Sequence, residues 1–191
     1  MTNLFSALQL PARPWLDPDE VKEAYVRQSE RAYHRTDADG DAERATLNQA
    51  FRVLREPSTR LEHLLALTKK ESLAPRQVSA EVSRLFGQTA NQLQVADRFL
   101  TQLSGKTSVL LRAIHLQEAP GLRADLDSLA STLGASENAH LNELKRLDEV
   151  WQEDPGLARE PLAQLAFELT FLEKWQGQLR ERLLRLDEAA T

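Results

Sequence analysis

Four histidines, His34, His63, His115 and His140, are the side chains best suited to acid-base or metal chemistry in this sequence, because cysteine is absent. No two of them stand at the spacing with which a helix or loop presents ligands to one metal ion. Without thiols the chain has no disulfide, no thiolate nucleophile and no iron-sulfur ligand of that type. Gly105-Lys106-Thr107 is like the end of a phosphate-binding loop, but Leu100 stands where its first glycine is needed and no strand precedes it. Asp37-Ala38-Asp39-Gly40-Asp41 offers carboxylates to calcium. Its glycine comes two positions too early, however, and Asn48 stands where a bidentate glutamate closes such a loop. No serine or carboxylate pair lies in a nucleophile context. These residues predict no metal, no cofactor and no enzyme, and leave binding as the kind of work to look for.

The elements that position any binding site are expected to be helices. The 191 residues include 34 leucines and 24 alanines against 8 valines, one isoleucine and 7 glycines, a balance that favours an all-α fold. A net charge of -5 argues against nucleic acid as a partner, since that needs a basic face to neutralise phosphates. No stretch approaches the roughly 20 apolar residues of a membrane span, so no membrane is expected either. The first cation is Arg13, which leaves no positive region ahead of a signal-like apolar stretch. The expected location is the cytoplasm, and the expected partners are proteins.

Prolines and aspartates punctuate the chain. Asp17-Pro18-Asp19-Glu20 reads as a capped helix start, with Glu20 bonding back to the cap, and the helix should run from Pro18 to about Tyr33. After a loop from Arg35 to Asp41, with Asp41 as the cap, Leu47, Ala50, Phe51 and Leu54 recur at helical spacing until Pro57. Asn3 to Leu8 makes a short first helix, and Pro57 opens a fourth bearing Leu61, Leu64, Leu65 and Leu67. From Thr68 to Pro75 the pattern lapses, which sets the expected domains at 1–70 and 71–191. Beyond it, Leu122, Leu126, Leu129 and Leu133 form one stripe and Leu141, Leu144, Leu147 and Trp151 another, with Gly134 and Pro155 as separators. Leu162, Leu165, Leu169, Leu172, Leu179, Leu183 and Leu186 form a third, broken at Gln176. Such stripes pack into a three-helix bundle within one chain, or join copies of it.

The first 70 residues resemble a J-domain, and among J-domains the HscB-type co-chaperones of iron-sulfur cluster assembly. The resemblance rests on Leu10-Pro11-Ala12-Arg13, Leu16-Asp17, Val21 and Tyr25, then on Leu47-Asn48-Gln49-Ala50-Phe51, Leu54-Arg55, Pro57, Arg60 and Leu64-Leu65-Ala66-Leu67. Leu169, Phe171-Leu172-Glu173-Lys174 and Leu183-Leu184 are similar to the last helix of that family's C-terminal three-helix domain. The resemblance implies an N-terminal J-like helical hairpin followed by a client-binding bundle, with a DnaK-type chaperone and an iron-sulfur scaffold or other client as partners. In that family a His-Pro-Asp triplet after the second helix triggers the chaperone's ATP hydrolysis.

Here the triplet is degenerate: Tyr33, His34, Arg35, Thr36 and Asp37 occupy the turn, with neither proline nor acid in register. Proline fixes φ and cuts the helix there, and the acid pairs with a chaperone arginine; losing such a pair costs roughly 2 to 5 kcal/mol. The resemblance therefore implies a divergent adaptor that does not stimulate the ATPase. The alternatives are a functional iron-sulfur co-chaperone that uses Asp37, and a homo-oligomerising helical scaffold unrelated to chaperones. Lys22, Arg27 and Arg31 are the expected chaperone-facing bases. Leu93, Phe99, Leu103 and Phe171 are the expected client-facing apolar residues, the first three within a region, Leu85 to Leu103, that has one acid and no methionine.

Overall fold

The computed structural model describes residues 2–33, 38–68, 76–105 and 108–190. Its described residues form eight helices: α1 (Leu4–Ala7), α2 (Pro18–Tyr33), α3 (Ala38–Leu54), α4 (Pro57–Leu67), α5 (Ala80–Ser104), α6 (Val109–Leu116), α7 (Ala119–Glu153) and α8 (Pro155–Ala190). The all-α expectation is met. Asp17 caps α2 by accepting from the Asp19 N–H at 2.8 Å, while Pro18 and Pro57 take the first helical positions, where a missing N–H costs nothing.

Two local expectations change. Asp41 is not a cap, because α3 begins at Ala38 and Asp41 lies in its first turn, paired with Arg44. Gly134 does not separate two helices. It lies inside α7, where the flanking buried Leu133 and Ser136 hold a helix that glycine alone weakens by only about 1 kcal/mol. Gly105 caps the C-terminus of α5, and the short α6 follows at Val109.

Contacts divide the chain into two compact units, residues 1–77 with 140–170, and residues 78–139 with 171–191. Both α7 and α8 are thus split between units, whereas the expected domains, 1–70 and 71–191, follow one another along the chain. The physical reason lies in the leucine stripes. Leu144, Leu147 and Trp151 of α7, with Leu162, Leu165 and Leu169 of α8, join the core that Leu4, Phe5, Leu16, Val21, Leu47, Leu54 and Leu61 begin. Only the other halves serve the bundle: Leu122, Leu126, Leu129 and Leu133 of α7 and Leu172, Trp175, Leu179 and Leu186 of α8 pack with Val82, Leu85, Ala96, Phe99 and Leu100 of α5.

Candidate functional site

In the first unit, α2 and α3 form the antiparallel hairpin. Tyr25 stacks on Phe51 with ring centroids 4.5 Å apart and donates from its hydroxyl to Asn48 Oδ1 at 2.6 Å; Arg44 Nη1 donates to the Ala32 carbonyl at 3.3 Å. Arg60, 1 % exposed, donates from Nε to the Pro14 carbonyl and from Nη1 to the Leu54 carbonyl, each at 2.9 Å. It thereby ties the segment before α2 to the end of α3, which is why an arginine three residues after Pro57 suits this fold. His63, buried against Phe5, accepts the Leu4 N–H on Nε2 at 3.1 Å, and burial lowers its pKa below the ordinary 6.5.

A second set of bonds ties the α7 and α8 segments of this unit to the residues just before α2 and just after α4. Asp148, 2 % exposed, accepts from Arg13 Nε at 3.1 Å, from Arg13 Nη2, from the Trp15 N–H at 3.0 Å and from Gln152 Nε2 at 3.1 Å. The bond to Asp148 holds the Arg13 guanidinium pKa above its ordinary value. Lys145 lies 4.5 Å over the Trp15 ring, and Arg159 Nη1 donates to Thr68 Oγ1 at 2.6 Å. These partners are up to 135 residues apart in sequence, so no local pattern signals them.

Of the expected chaperone-facing residues, Lys22, Arg27 and Arg31 are all exposed on α2, and Tyr33, at the end of that helix, is 77 % exposed. They do not share one face. Five residues at 100° each place Lys22 about 140° around the axis from Arg27, beside Val26 and Tyr33. Arg27 and Arg31 lie within about 40° of one another, but Glu20, Glu23 and Glu30 flank them. Arg31 Nη1 also reaches Gln9 Oε1, at 3.5 Å. The face is therefore mixed in charge. His34, Arg35, Thr36 and Asp37 lie outside the described residues.

The expected client-facing residues separate by burial. Phe99, stacked on His115 at 4.4 Å, and Leu103, 3 % exposed, are core side chains with no surface to offer. Leu93 and Phe171 are half-buried and line hollows between α5 and α8. One hollow, of about 270 Å³, is apolar and enclosed by Val78, Val82, Ser83, Phe86, Phe171 and Trp175. The other, of about 700 Å³, is more polar and is bordered by Ala90, Leu93, Gln94, Thr101, Gln178 and the Arg182–Asp97 pair. Arg182 Nε and Nη2 grip both Asp97 oxygens at 3.1 and 3.2 Å, which raises the arginine pKa. Positions 82, 86, 90, 93, 97 and 101 of α5 recur every three or four residues, so the two hollows follow one stripe of that helix.

Phe86, 59 % exposed and 6.0 Å from Trp175, is the residue sequence reading missed here. Its neighbour Leu85 sits on the core stripe, from which the next helical position is turned by about 100°. An off-stripe aromatic was the available signal. Among the described residues no cluster of three potential metal ligands occurs, and no helix is long and apolar enough to cross a membrane.

One unit built on a helical hairpin and another built as a helical bundle with an open groove define the class of fold. No family model matches the sequence, and no curated protein matches it. Among solved structures the chain is similar to the chaperone HscB from Vibrio cholerae, at 16% identity and a TM-score of 0.54, over 94% of this chain and 96% of that one. The fold is HscB-like.

Proposed function

We propose that this chain is a divergent HscB-like adaptor that works by binding and not by catalysis. In this reading the α5–α8 groove receives a client protein, an iron-sulfur scaffold or another chain, and a DnaK-type chaperone, if engaged through the hairpin, is not driven to hydrolyse ATP. The observation that carries the reading is a contrast. The HscB-like fold is kept, while the sequence after α2 reads His34-Arg35-Thr36-Asp37, without the proline and acid in register that the resemblance requires. Aligned without a gap from Leu10-Pro11, Arg35 stands in the acid's place and turns an attraction into a repulsion at the chaperone's arginine; aligned on His34, Thr36 stands there and the attraction is lost. The mixed charge around Arg27 and Arg31 supports weak engagement, since like charges interspersed with opposite ones steer little. The reading places the adaptor in the cytoplasm.

A steady-state ATPase assay with the host's DnaK-type chaperones tests it. No stimulation beyond about twofold is expected. Many-fold stimulation that disappears in Asp37→Ala would replace the reading with that of a functional co-chaperone. For the groove, Phe86→Ser with Phe171→Ser should abolish co-purification of a cluster scaffold while the helical circular dichroism stays intact.

A further inference from the structure

In the first unit, Thr59, Glu62 and His63 of α4 are spaced by three and four residues and so share one face of that helix. All three line a hollow of about 380 Å³, to which Leu4 and Val53 give apolar surface. His63 is 5 % exposed and uses Nε2 to accept the Leu4 N–H, so the neutral ring carries its proton on Nδ1. Burial, by lowering the pKa of the ring, keeps it in that neutral form at pH 7. Among the described residues no acceptor meets the Nδ1–H, which is left to the hollow, and no cation lines the space. The Thr59 hydroxyl has its hydrogen engaged, donating to the Val53 carbonyl at 2.7 Å, and offers the hollow a lone pair. Glu62 is exposed and, as a carboxylate, can only accept. The face therefore presents one donor beside two acceptors, with Gln49, able to do either, at the edge of the hollow.

That pattern selects among ligand chemistries. A carboxylate would satisfy the imidazole N–H but meet the negative charge of Glu62. An ammonium or guanidinium would satisfy Glu62 and Thr59 but leave the buried N–H unmet, and a buried donor without a partner is costly. A primary carboxamide carries the complement of all three groups in one plane, an oxygen that accepts and an NH₂ that donates twice. Its apolar remainder would lie against Leu4 and Val53, and the volume is within the range of small-molecule sites. We propose that this hollow binds a small molecule bearing a primary carboxamide, with the carbonyl oxygen on His63 Nδ1–H and the amide hydrogens on Glu62 and Thr59. The site lies wholly within the first unit and does not depend on the adaptor reading.

Benzamide is the probe, and benzoate, of the same shape but anionic and without N–H groups, is its control. Each is titrated into the full chain at about pH 7.5, where His63 is neutral, and followed by amide proton–nitrogen NMR. Benzamide should shift the Leu4, Glu62 and His63 signals saturably with a Kd of about 1 to 10 mM, ordinary for so small a ligand. Benzoate should bind about tenfold more weakly or not at all. Glu62→Ala should weaken benzamide binding about three- to tenfold while the thermal melt matches the parent, because the Glu62 side chain is already exposed. The proposal is overturned if no saturable shift appears up to about 50 mM benzamide, which would leave the hollow to water alone. It is equally overturned if benzoate binds as well as benzamide, or if Glu62→Ala leaves the affinity unchanged.

Discussion

The two units are stabilised by different chemistry. In the first, the α7 segment meets the stretch before α2 through a buried carboxylate with four donors around it, and Arg60 and His63 add buried bonds to backbone groups. In the second, the core is a seam of leucines with Phe99 and Trp175, and the ion pairs Arg182–Asp97 and Arg123–Asp187 lie toward the surface. Buried polar bonds demand particular partners and so fix one register, whereas leucine stripes supply energy with less discrimination. The unit with polar fasteners resembles a fixed platform. The unit with the apolar seam leaves Phe86, Leu110, Leu111 and Ile114 in solvent, and the client groove proposed above belongs to it.

The sharpest way to break this contrast is Asp148→Ala. It should cost about 3 kcal/mol, because the Trp15 N–H loses its partner while the part-exposed Arg13 turns to water, and hydrogen exchange should quicken in α2 to α4 far more than in α5. Equal loosening of both units would show that the fasteners do not act locally. Leu126→Ala is the converse probe. A fully buried leucine in the second core should cost about 3 kcal/mol, with faster exchange concentrated in α5.

Acidification sharpens the comparison on one side only. His63 has its pKa lowered by burial and accepts a bond that its protonated ring cannot accept. Its contribution is present above the ordinary 6.5 and is lost as pH falls through the lower folded value. A melting-temperature profile that declines with acid in the parent but is flatter in His63→Gln would bear this out. The smallest effect is a gain. At Gly134 an added Cβ meets nothing within 4 Å, so Gly134→Ala should stabilise the chain by about 0.5 to 1 kcal/mol in a denaturant titration.

The helices were legible wherever proline, an aspartate cap or a long leucine stripe marks them: α2, α4 and α8 begin at Pro18, Pro57 and Pro155. What was not legible is which core a stripe serves. Leu144 and Leu133 look alike in sequence, yet they fall in different cores, because periodicity records that a face is buried and not by what. Phe99 and Leu103 were open to the same ambiguity and proved to be core, while Phe171 kept a place at the groove. Asp148 looked like one more surface acid, since its partner Arg13 lies 135 residues away. α6 escaped notice because eight residues are too few to show a period against their neighbours.

Because α7 and α8 each give part of their length to both cores, this chain has no seam at which it can be cut. A fragment ending at residue 77 would leave Leu4, Leu54 and Leu61 without the leucines of α7 and α8 that cover them. Exchanging the front for that of another hairpin protein would strand Asp148 opposite a missing arginine. Any engineer or any genetic recombination that treats the two ends as interchangeable cassettes must therefore move residues 140–170 along with the N-terminus, or obtain an insoluble product.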